Sequence, residues 1–250
     1  MTAAYRQHPG SSLARILQVL LAITGGVTLV SWVWMSTRLR TGTFVMHVPP
    51  SDRPFARTSW TGTPLGEAFS WSWAVALAAE LVWLLWQYQA TANLWARGYR
   101  DLKIRPGWAV GWWFIPFASL VMPCVAMLEL DRRSTPDGRP RRAGALLGWW
   151  WGVWLASGTV PLIGAFVAVV PHLGSFARSI DGQATSIDFS PLVHAAAPWL
   201  LVAGVSRAVA AGLAVAAVRR IDVAQHAMME TPSGAWTAVP ARPDAAWGVG

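Results

Sequence analysis

The chain has 250 residues, of which 54% are hydrophobic and only 13% are charged. A soluble domain carries roughly 25% charged residues, so this composition argues against an ordinary soluble domain and indicates an integral membrane protein. The net charge of +8 lies mostly in loops beside hydrophobic runs, which favours a topology signal and anionic-lipid contact over nucleic-acid binding. Cys124 is the only cysteine, which excludes an intrachain disulfide and a cysteine-based metal site.

Four hydrophobic runs each reach the ~20 residues that a helix needs to cross a bilayer. They predict transmembrane helices at residues 13–35, 70–90, 146–170 and 192–218. The membrane domain is taken as residues 13–220. We expect a disordered cytoplasmic N-terminal tail at residues 1–12 and a mostly disordered cytoplasmic C-terminal tail at residues 221–250. The Pro-, Ser- and Thr-rich residues 36–69 are predicted to form an extracytoplasmic loop.

A fifth hydrophobic stretch, residues 107–128, differs from a simple spanning helix. Pro116 and Pro123 each remove a helix hydrogen bond and obstruct the preceding turn. Gly107 and Gly111 lie close by, and the combination favours a broken element. Because irregular backbone at membrane depth must pack on protein or line a wet cavity, we expect this segment to pack against the spans.

Two strongly basic loops, residues 91–107 and 129–145, flank that stretch. If it spans as a fifth helix, one of these loops faces outward, against the positive-inside rule. If it re-enters or lies along the interface, 14 of the 20 basic residues are inside and 5 outside. We therefore predict an all-α protein of the plasma (inner) membrane with four transmembrane helices, a Pro-broken re-entrant or interfacial segment, and both termini cytoplasmic. Five transmembrane helices are the alternative.

The 18 tryptophans are expected mainly at the two membrane–water interfaces, where amphipathic rings are common. On the predicted cytoplasmic side they include Trp86, Trp95, Trp108, Trp112 and Trp149–Trp151. A tryptophan-lined ligand groove is the less favoured alternative.

Two charged residues lie well inside predicted spans: Glu80 in the second and Arg207 in the last. A charge at the bilayer centre costs at least ~2.5–3.5 kcal/mol on insertion scales, and such residues usually pair inside the protein. Because these two have opposite sign at similar depth, we predict an intramembrane ion pair that is either structural or part of an ion or proton pathway. The alternative is that they never meet, with Glu80 protonated and Arg207 snorkelling.

Small residues recur every four positions in the last two predicted spans. Such stripes let helix backbones approach closely. They consist of Gly144, Gly148, Gly152 and Ala156 in the third span and of Gly204, Ala208, Gly212 and Ala216 in the last. We predict that these helices pack on each other through the stripes, with homo-oligomerisation through one stripe as the alternative.

Known catalytic and cofactor-binding motifs are not recognisable in the sequence, and the five histidines lack metal-ligand spacing. We therefore expect neither enzymatic activity nor a cofactor or metal. The packing and topology motifs favour a non-enzymatic membrane scaffold or regulatory partner that contacts anionic lipids on the cytoplasmic side and an unidentified protein. A small transporter or channel subunit, with a midplane site at the broken segment and Glu80, is the alternative.

Three stretches of sequence resemble a known family. They are WQYQATAN (86–93), RPGWAVGWWFIPFASLVMPCVAMLELDRRS (105–134) and GWWWGVW (148–154). Through them the chain resembles the actinobacterial multi-pass membrane proteins grouped as domain-of-unknown-function family 4328. The resemblance implies a membrane location and a multi-helix architecture, and it implies no activity.

Overall fold

The computed structural model describes residues 11–42, 45–47, 64–99, 102–135, 142–174 and 186–230. Its helices are α1 (Ser11–Thr41), α2 (Pro64–Ala96), α3 (Pro106–Gly111), α4 (Met122–Ser134), α5 (Arg142–Val169) and α6 (Ser190–Glu230). It also contains strands β1 (Val45–His47) and β2 (Ser186–Asp188), and 3-10 turns at Trp112–Phe114, Ala118–Leu120 and Val170–His172.

The four long helices lie in the order α2, α1, α6, α5, each packed on the next. In the described part of the chain, α2 and α5, which lie at the two ends of this row, make little direct helix contact with each other. The short helices α3 and α4 contact α2 and α5 and so connect them. The row of long helices is therefore closed on one side by a separate element.

Two glycines allow close approach between neighbouring long helices. A Cβ added at Gly204 of α6 would lie 2.6 Å from the Cβ of Trp32 on α1. A Cβ added at Gly164 of α5 would overlap the indole ring of Trp199 on α6. In both places a tryptophan packs directly on bare backbone, and the two contacts hold α6 between α1 and α5.

The end of the bundle where α1 ends and α6 begins carries a short antiparallel ladder, and we call it the strand end. The register is Val45↔Asp188, Met46↔Ile187 and His47↔Ser186. The buried Ser36 hydroxyl donates to the carbonyl of Ala197 at 2.7 Å. The His194 ring donates to the carbonyl of Gly42 at 2.9 Å. These bonds fix the register of α1 against α6.

The opposite end, where α1 begins and α6 ends, carries most of the described arginines, and we call it the basic end. Here α2 stops at a Schellman motif. Gly98 has a φ of +97°, and the N–H of Tyr99 donates to the carbonyl of Leu94 at 3.3 Å. Because glycine adopts this left-handed conformation without steric cost, the chain turns sharply here and leads into α3.

Among the described residues, three helices are long and apolar enough to cross a membrane: Ser12–Thr41, Gly144–His172 and Ser190–Met228. They correspond to the first, third and fourth predicted spans, so the helical membrane-type architecture is confirmed. The helix α2 has 33 residues but is not among these three. The prediction of four spans is therefore not confirmed.

The predicted C-terminal tail begins too early. The helix α6 continues to Glu230, and its residues Ile221, Gln225 and Met228 are buried. They are spaced four and three residues apart, so they share one face of the helix and pack together against the bundle. The prediction of disorder is wrong for residues 221–230, and the remainder of the tail lies outside the described residues.

The predicted small-residue stripe on α5 does not lie at a helix interface. Gly144, Gly148 and Gly152 are exposed, and Ala156 is half-buried. A Cβ added at Gly148 or Gly152 would have no described atom within 4 Å. The helix does pack on α6, but through another face, which includes Gly164.

The stripe on α6 is only partly used, and its partner is α1. Gly204 packs on Trp32, and Ala208 lies beside Gly25. Gly212 and Ala216 are exposed. A four-residue repeat drifts about 40° around a helix at each step, so the stripe rotates out of a straight interface. The predicted contact between the two stripes is therefore wrong.

Replacing Gly164 or Gly204 by alanine is expected to destabilise the bundle, because the new methyl group collides with a tryptophan. Overpacking of this kind costs about 1–3 kcal/mol. Gly158→Ala and Gly212→Ala are matched controls on the same helices, with no described atom near the new methyl group. The higher helix propensity of alanine should leave these controls at least as stable as the original chain. Thermal unfolding in detergent measures the difference, and four equal midpoints would contradict the packing.

Candidate functional site: a docked helical hairpin

Residues 102–134 form a helical hairpin whose two arms are α3 and α4. The carboxylate of Glu129 on α4 accepts hydrogen bonds from the backbone N–H groups of Lys103 (2.8 Å) and Ile104 (3.1 Å), just before α3. The small core between the arms consists of Ile104, Ala109 and Ala126. The chain therefore enters and leaves the hairpin at the basic end.

The tip of the hairpin is a tight turn around Phe117. Its φ and ψ are 63° and −44°, and the N–H of Ala118 donates to the carbonyl of Pro116 at 2.7 Å. This is the positive-φ γ-turn, a rare and strained conformation for a residue with a side chain. Phe117 is 85% exposed, so the strain is not compensated by burial of its ring.

The two prolines bracket this turn, as the prediction of a broken element required. Pro116 precedes the turn, where its fixed φ and missing N–H end the first arm. Pro123 lies in the first turn of α4, a position that needs no backbone N–H. The glycines play no part in the break, since Gly107 and Gly111 both lie within α3.

Two indole N–H groups fix the tip to the long helices on either side. Trp113 of the hairpin donates to the side-chain oxygen of Gln87 on α2 at 2.9 Å. Trp151 of α5 donates to the backbone carbonyl of Leu120 at 3.0 Å. The hairpin is therefore hydrogen-bonded to both helices that it separates.

An aromatic cluster surrounds these two bonds. Trp83 stacks on Trp150 with centroids 5.1 Å apart, and Trp151 stacks on Trp154 at 4.9 Å. Trp113 meets Trp83, Trp151 and Trp154 edge-on, at 6.5, 5.8 and 5.8 Å. Such pairs contribute about 0.5–1.5 kcal/mol each beyond the burial of their surface. The ring of Trp113 thus fixes the tip between α2 and α5.

The expectation that nearly all tryptophans are interfacial anchors is wrong for this cluster. Trp83, Trp86, Trp150 and Trp151 are buried, with at most 7% of their surface exposed. Trp149 is 71% exposed and remains compatible with an anchoring role. The cluster is internal because the hairpin needs large rings and indole donors on both neighbouring helices.

The contact with Trp113 also fixes the orientation of the Gln87 carboxamide. An indole N–H can only donate, so the amide oxygen faces Trp113 and the NH₂ group points away. This NH₂ group and the N–H of Trp83 are buried and have no acceptor among the described residues. A buried donor without a partner costs about 1–3 kcal/mol, so the chain keeps this glutamine at some expense of stability.

At the basic end a polar cluster ties α4 to α6 and α2. The buried carboxylate of Asp131 accepts a hydrogen bond from Nε of Arg220 at 2.7 Å, and the two form an ion pair. Gln225 donates to the carbonyl of Ala90 at 2.9 Å and to the hydroxyl of Ser134 at 3.2 Å. Movement of α4 away from the bundle would break these bonds.

Two further arginines lie close to this polar cluster. The guanidinium of Arg133 lies over the ring of Tyr99 at 6.0 Å from its centroid. Partial burial lowers the pKa of Arg97 from its usual value, and Tyr99 opposes that shift. Sequence reasoning did not identify Asp131, Arg220 or Gln225. An acidic residue inside a strongly basic segment (ELDRRS) was the available signal for Asp131.

Between the hairpin tip and the strand end, the space between α2 and α5 is uncovered. On one flank of α2, Thr91 and Gln87 are buried, Leu84 is half-buried and Glu80 is exposed. These residues are three or four apart and therefore share a flank. Exposure rises steadily along it, so the hairpin covers only the half nearest the basic end.

The facing flank of α5 shows the same gradient. Trp151 is buried, Leu155 is half-buried and Leu162 is exposed. We call the uncovered space between Glu80 on α2 and Leu162 on α5 the lateral gap. It begins where the tryptophan cluster ends.

The predicted ion pair is not present. Glu80 and Arg207 are both exposed, and neither forms an ion pair or hydrogen bond with the other or with any other described residue. The reason is the alignment of the helices: Gln225 of α6 bonds to Ala90 of α2, and Arg207 lies 18 residues before Gln225 whereas Glu80 lies 10 residues before Ala90, a difference of about 12 Å along the helices. The sequence placed both charges near the middle of a span, but it does not reveal how two helices are aligned.

Glu80 lies on the α2 flank described above. Arg207 shares a face of α6 with Ala214 and Ile221, which are spaced at seven residues and are both buried towards the basic end. Arg207 is exposed because the tryptophan cluster and the hairpin do not extend along the bundle as far as its position on α6.

The described residues thus define a bundle of membrane-type helices around a docked hairpin. The chain belongs to the family described as Domain of unknown function (DUF4328), whose model matches residues 51–223. This range contains α2, the hairpin, α5 and most of α6, and the family expected from the sequence is confirmed. No curated protein and no solved structure matches the chain.

The ion pair at the basic end predicts an asymmetric pair of variants. Arg220→Gln leaves the buried Asp131 carboxylate without its partner and should cost about 3 kcal/mol of stability. Asp131→Asn leaves an arginine whose side chain is 35% exposed and can reach water, so it should cost less. Arg219→Gln is the matched control, because that side chain is exposed. Thermal unfolding in detergent tests the order, and equal losses for Arg220→Gln and Arg219→Gln would contradict it.

For Glu80 and Arg207 the structure predicts independent effects. Glu80→Gln and Arg207→Gln each remove an unpaired charge, so each variant should be at least as stable as the original chain. The change in the double variant should equal the sum of the single changes within about 0.5 kcal/mol. The same unfolding measurement applies. A larger coupling energy would show that the two side chains meet after all.

Proposed function

We propose that the protein is a multi-pass plasma-membrane protein with four spans, a hairpin that re-enters from the cytoplasmic side, and both termini in the cytoplasm. The observation that carries this proposal is the pair of hydrogen bonds that the backbone N–H groups of Lys103 and Ile104 donate to the carboxylate of Glu129. A segment that crossed the membrane would separate its two ends by about 30 Å. Here the two ends of the segment are hydrogen-bonded to each other.

The depth of the tip supports re-entry. Gln87, to which Trp113 bonds, lies nine residues before the end of α2, which is about 14 Å along the helix axis. That is about half of a ~30 Å hydrocarbon core. The exposed Phe114 and Phe117 at the tip then face lipid, which suits their apolar rings.

The proposed fourth span is α2. Its 33 residues extend about 50 Å, longer than the hydrocarbon core, and it packs along α1. Its polar residues Gln87 and Thr91 are covered by the hairpin, which removes them from contact with lipid. The concentration of arginines at the basic end supports a cytoplasmic location for that end.

For its activity, we propose a non-enzymatic scaffold or regulatory partner. Support comes from three polar contacts that each join the hairpin to a long helix. The exposed glycine stripe of α5, with Trp149 beside it, offers a surface on which a second copy or another membrane protein could pack. The exposed Lys103, Arg105 and Arg132 would contact anionic lipids.

A small transporter or channel subunit is the second candidate. The lateral gap favours it, because Glu80 lies there close to a discontinuous element at mid-depth, the arrangement that many transporters use. Ion or solute flux in liposomes that Glu80→Gln abolishes would support this candidate. Unchanged permeability, together with a reproducible protein partner in co-purification from native membranes, would support the scaffold.

Cysteine labelling tests the proposed topology. In a Cys124→Ala background, Lys103→Cys and Arg132→Cys place thiols at exposed positions on the two sides of the hairpin, and Arg40→Cys places one at the strand end. An impermeant maleimide added to intact cells should label position 40 alone. Positions 103 and 132 should react only after permeabilisation. Labelling of 103 and 132 from opposite sides would establish five spans instead.

A further inference from the structure

Two half-buried arginines at the basic end interact with the same tyrosine. The guanidinium of Arg133 on α4 lies over the ring of Tyr99, 6.0 Å from its centroid. Arg97 lies two residues before Tyr99 in the turn that ends α2, so the Cα atoms of these two residues are at most about 7 Å apart. Burial lowers the pKa of Arg97, and Tyr99 opposes that shift, so this guanidinium also lies close to the tyrosine. Tyr99 therefore brings two cations together.

The side chain of Arg97 has no ion-pair partner among the described residues. The two carboxylates of α4 are both engaged elsewhere. Glu129 accepts hydrogen bonds from two backbone N–H groups, and Asp131, whose side chain is only 3% exposed, pairs with Arg220. A guanidinium stays protonated at neutral pH, and partial burial removes some of its hydration. An anion from outside the chain would replace that lost hydration.

In the proposed orientation these arginines lie at the level of the lipid phosphates. The helix α2 ends at Ala96, about 14 Å beyond Gln87, which lies near the middle of the ~30 Å hydrocarbon core. Arg97 therefore lies at the boundary between the hydrocarbon and the headgroups. Trp108, in the first turn of α3, is 51% exposed, and exposed indole rings are common at this boundary.

We propose that Arg97 and Arg133 bind the phosphate of an anionic phospholipid headgroup, with the ring of Tyr99 positioning the Arg133 guanidinium. The two planar guanidinium groups donate parallel N–H bonds to the phosphate oxygens, and the acyl chains extend into the adjacent bilayer. The exposed Lys103 and Arg105 favour an anionic headgroup over a zwitterionic one, because they would repel an ammonium group. The proposal rests on the membrane location and orientation proposed above.

This site differs from the general attraction of a basic surface for anionic lipids. Arg132 and Arg219 are exposed at the same end, so they act on a lipid through water and their attraction is screened by salt. Arg97 and Arg133 are held by partial burial and by Tyr99. Binding should therefore depend on which arginine is present and not only on the net charge.

Native mass spectrometry of the purified full chain tests the site. The probes are phosphatidylglycerol and phosphatidylcholine with identical acyl chains, added at equal concentration. We expect preferential retention of phosphatidylglycerol. Arg97→Gln and Arg133→Gln should each weaken that retention about tenfold, the loss expected for one charge-assisted hydrogen bond. Arg133→Lys keeps the charge without the parallel donors, so it should recover only part of the loss.

Arg132→Gln is the matched control, because it removes the same charge from the neighbouring position of α4, where the side chain is exposed. It should leave the retention of phosphatidylglycerol nearly unchanged. Equal losses in Arg132→Gln and Arg133→Gln would overturn the proposal, since they would show a diffuse attraction by the basic surface. Full binding in Arg133→Lys would also overturn it.

A second set of probes identifies the source of the phosphate. Inorganic phosphate and glycerophosphoglycerol carry the same anion as the lipid but have no acyl chains. We expect both to bind far more weakly than phosphatidylglycerol. If either binds as tightly as the intact lipid and loses that binding in Arg133→Gln, the ligand comes from the aqueous phase and the lipid proposal is wrong.

Failure of this proposal is distinguishable from failure of the proposed topology, because cysteine labelling reports the topology without reference to lipid. The expected labelling together with equal retention of phosphatidylglycerol and phosphatidylcholine would reject the site alone. The variants change half-buried or exposed side chains and are expected to fold, which their thermal unfolding midpoints in detergent verify before lipid is added. If one glutamine variant unfolds, the other provides the decisive comparison, and undiminished binding in it counts against the site.

Discussion

In a region that excludes water, a backbone segment that is not helical must find other hydrogen-bond partners for its peptide groups. This requirement determines the structure at the centre of the molecule. The hairpin changes direction around Phe117, where regular helical hydrogen bonding is interrupted. One hydrogen bond is local: in the γ-turn the N–H of Ala118 donates to the carbonyl of Pro116. The other comes from Trp151 of α5, which donates to Leu120. The turn is therefore possible only where a long helix presents a donor to it.

The tryptophan cluster follows from that requirement. An indole combines a single donor with a large apolar ring, so it can bond to the turn and at the same time fill the space around it. Trp113 and Trp151 provide the donors, and Trp83, Trp150 and Trp154 complete the packing. The separation of α2 from α5 is the width of this aromatic layer, and the lateral gap remains where the layer ends.

Features that depend on local sequence were the ones that could be predicted. Apolar runs marked the four long helices, and Pro116 and Pro123 marked the break between the hairpin arms. The chemistry of proline acts on its own backbone and on the preceding turn, so it can be recognised without knowledge of the fold. The family resemblance was carried by the same stretch.

Features that depend on neighbours were not predictable in this way. The pairing of Glu80 with Arg207 failed because α2 and α6 are aligned so that the two charges lie at different depths. The predicted contact between the two small-residue stripes is wrong because spacing along one helix does not specify which of its faces meets a partner. The actual ion pair, Asp131 with Arg220, joins a short arm to a helix 89 residues away in sequence. Its two members lie in segments that looked like ordinary basic loop ends.

The position of the hairpin in the chain has a consequence for biosynthesis. The hairpin packs on Gln87 and Trp83 of α2, which are translated before it. It also packs on the tryptophans of α5, which are translated after it. Arg220 and Gln225, which hold α4, come near the end of the chain. During synthesis the hairpin therefore lacks part of its contacts until α5 and α6 have been translated. The helix α6 thus completes a site that α2 begins.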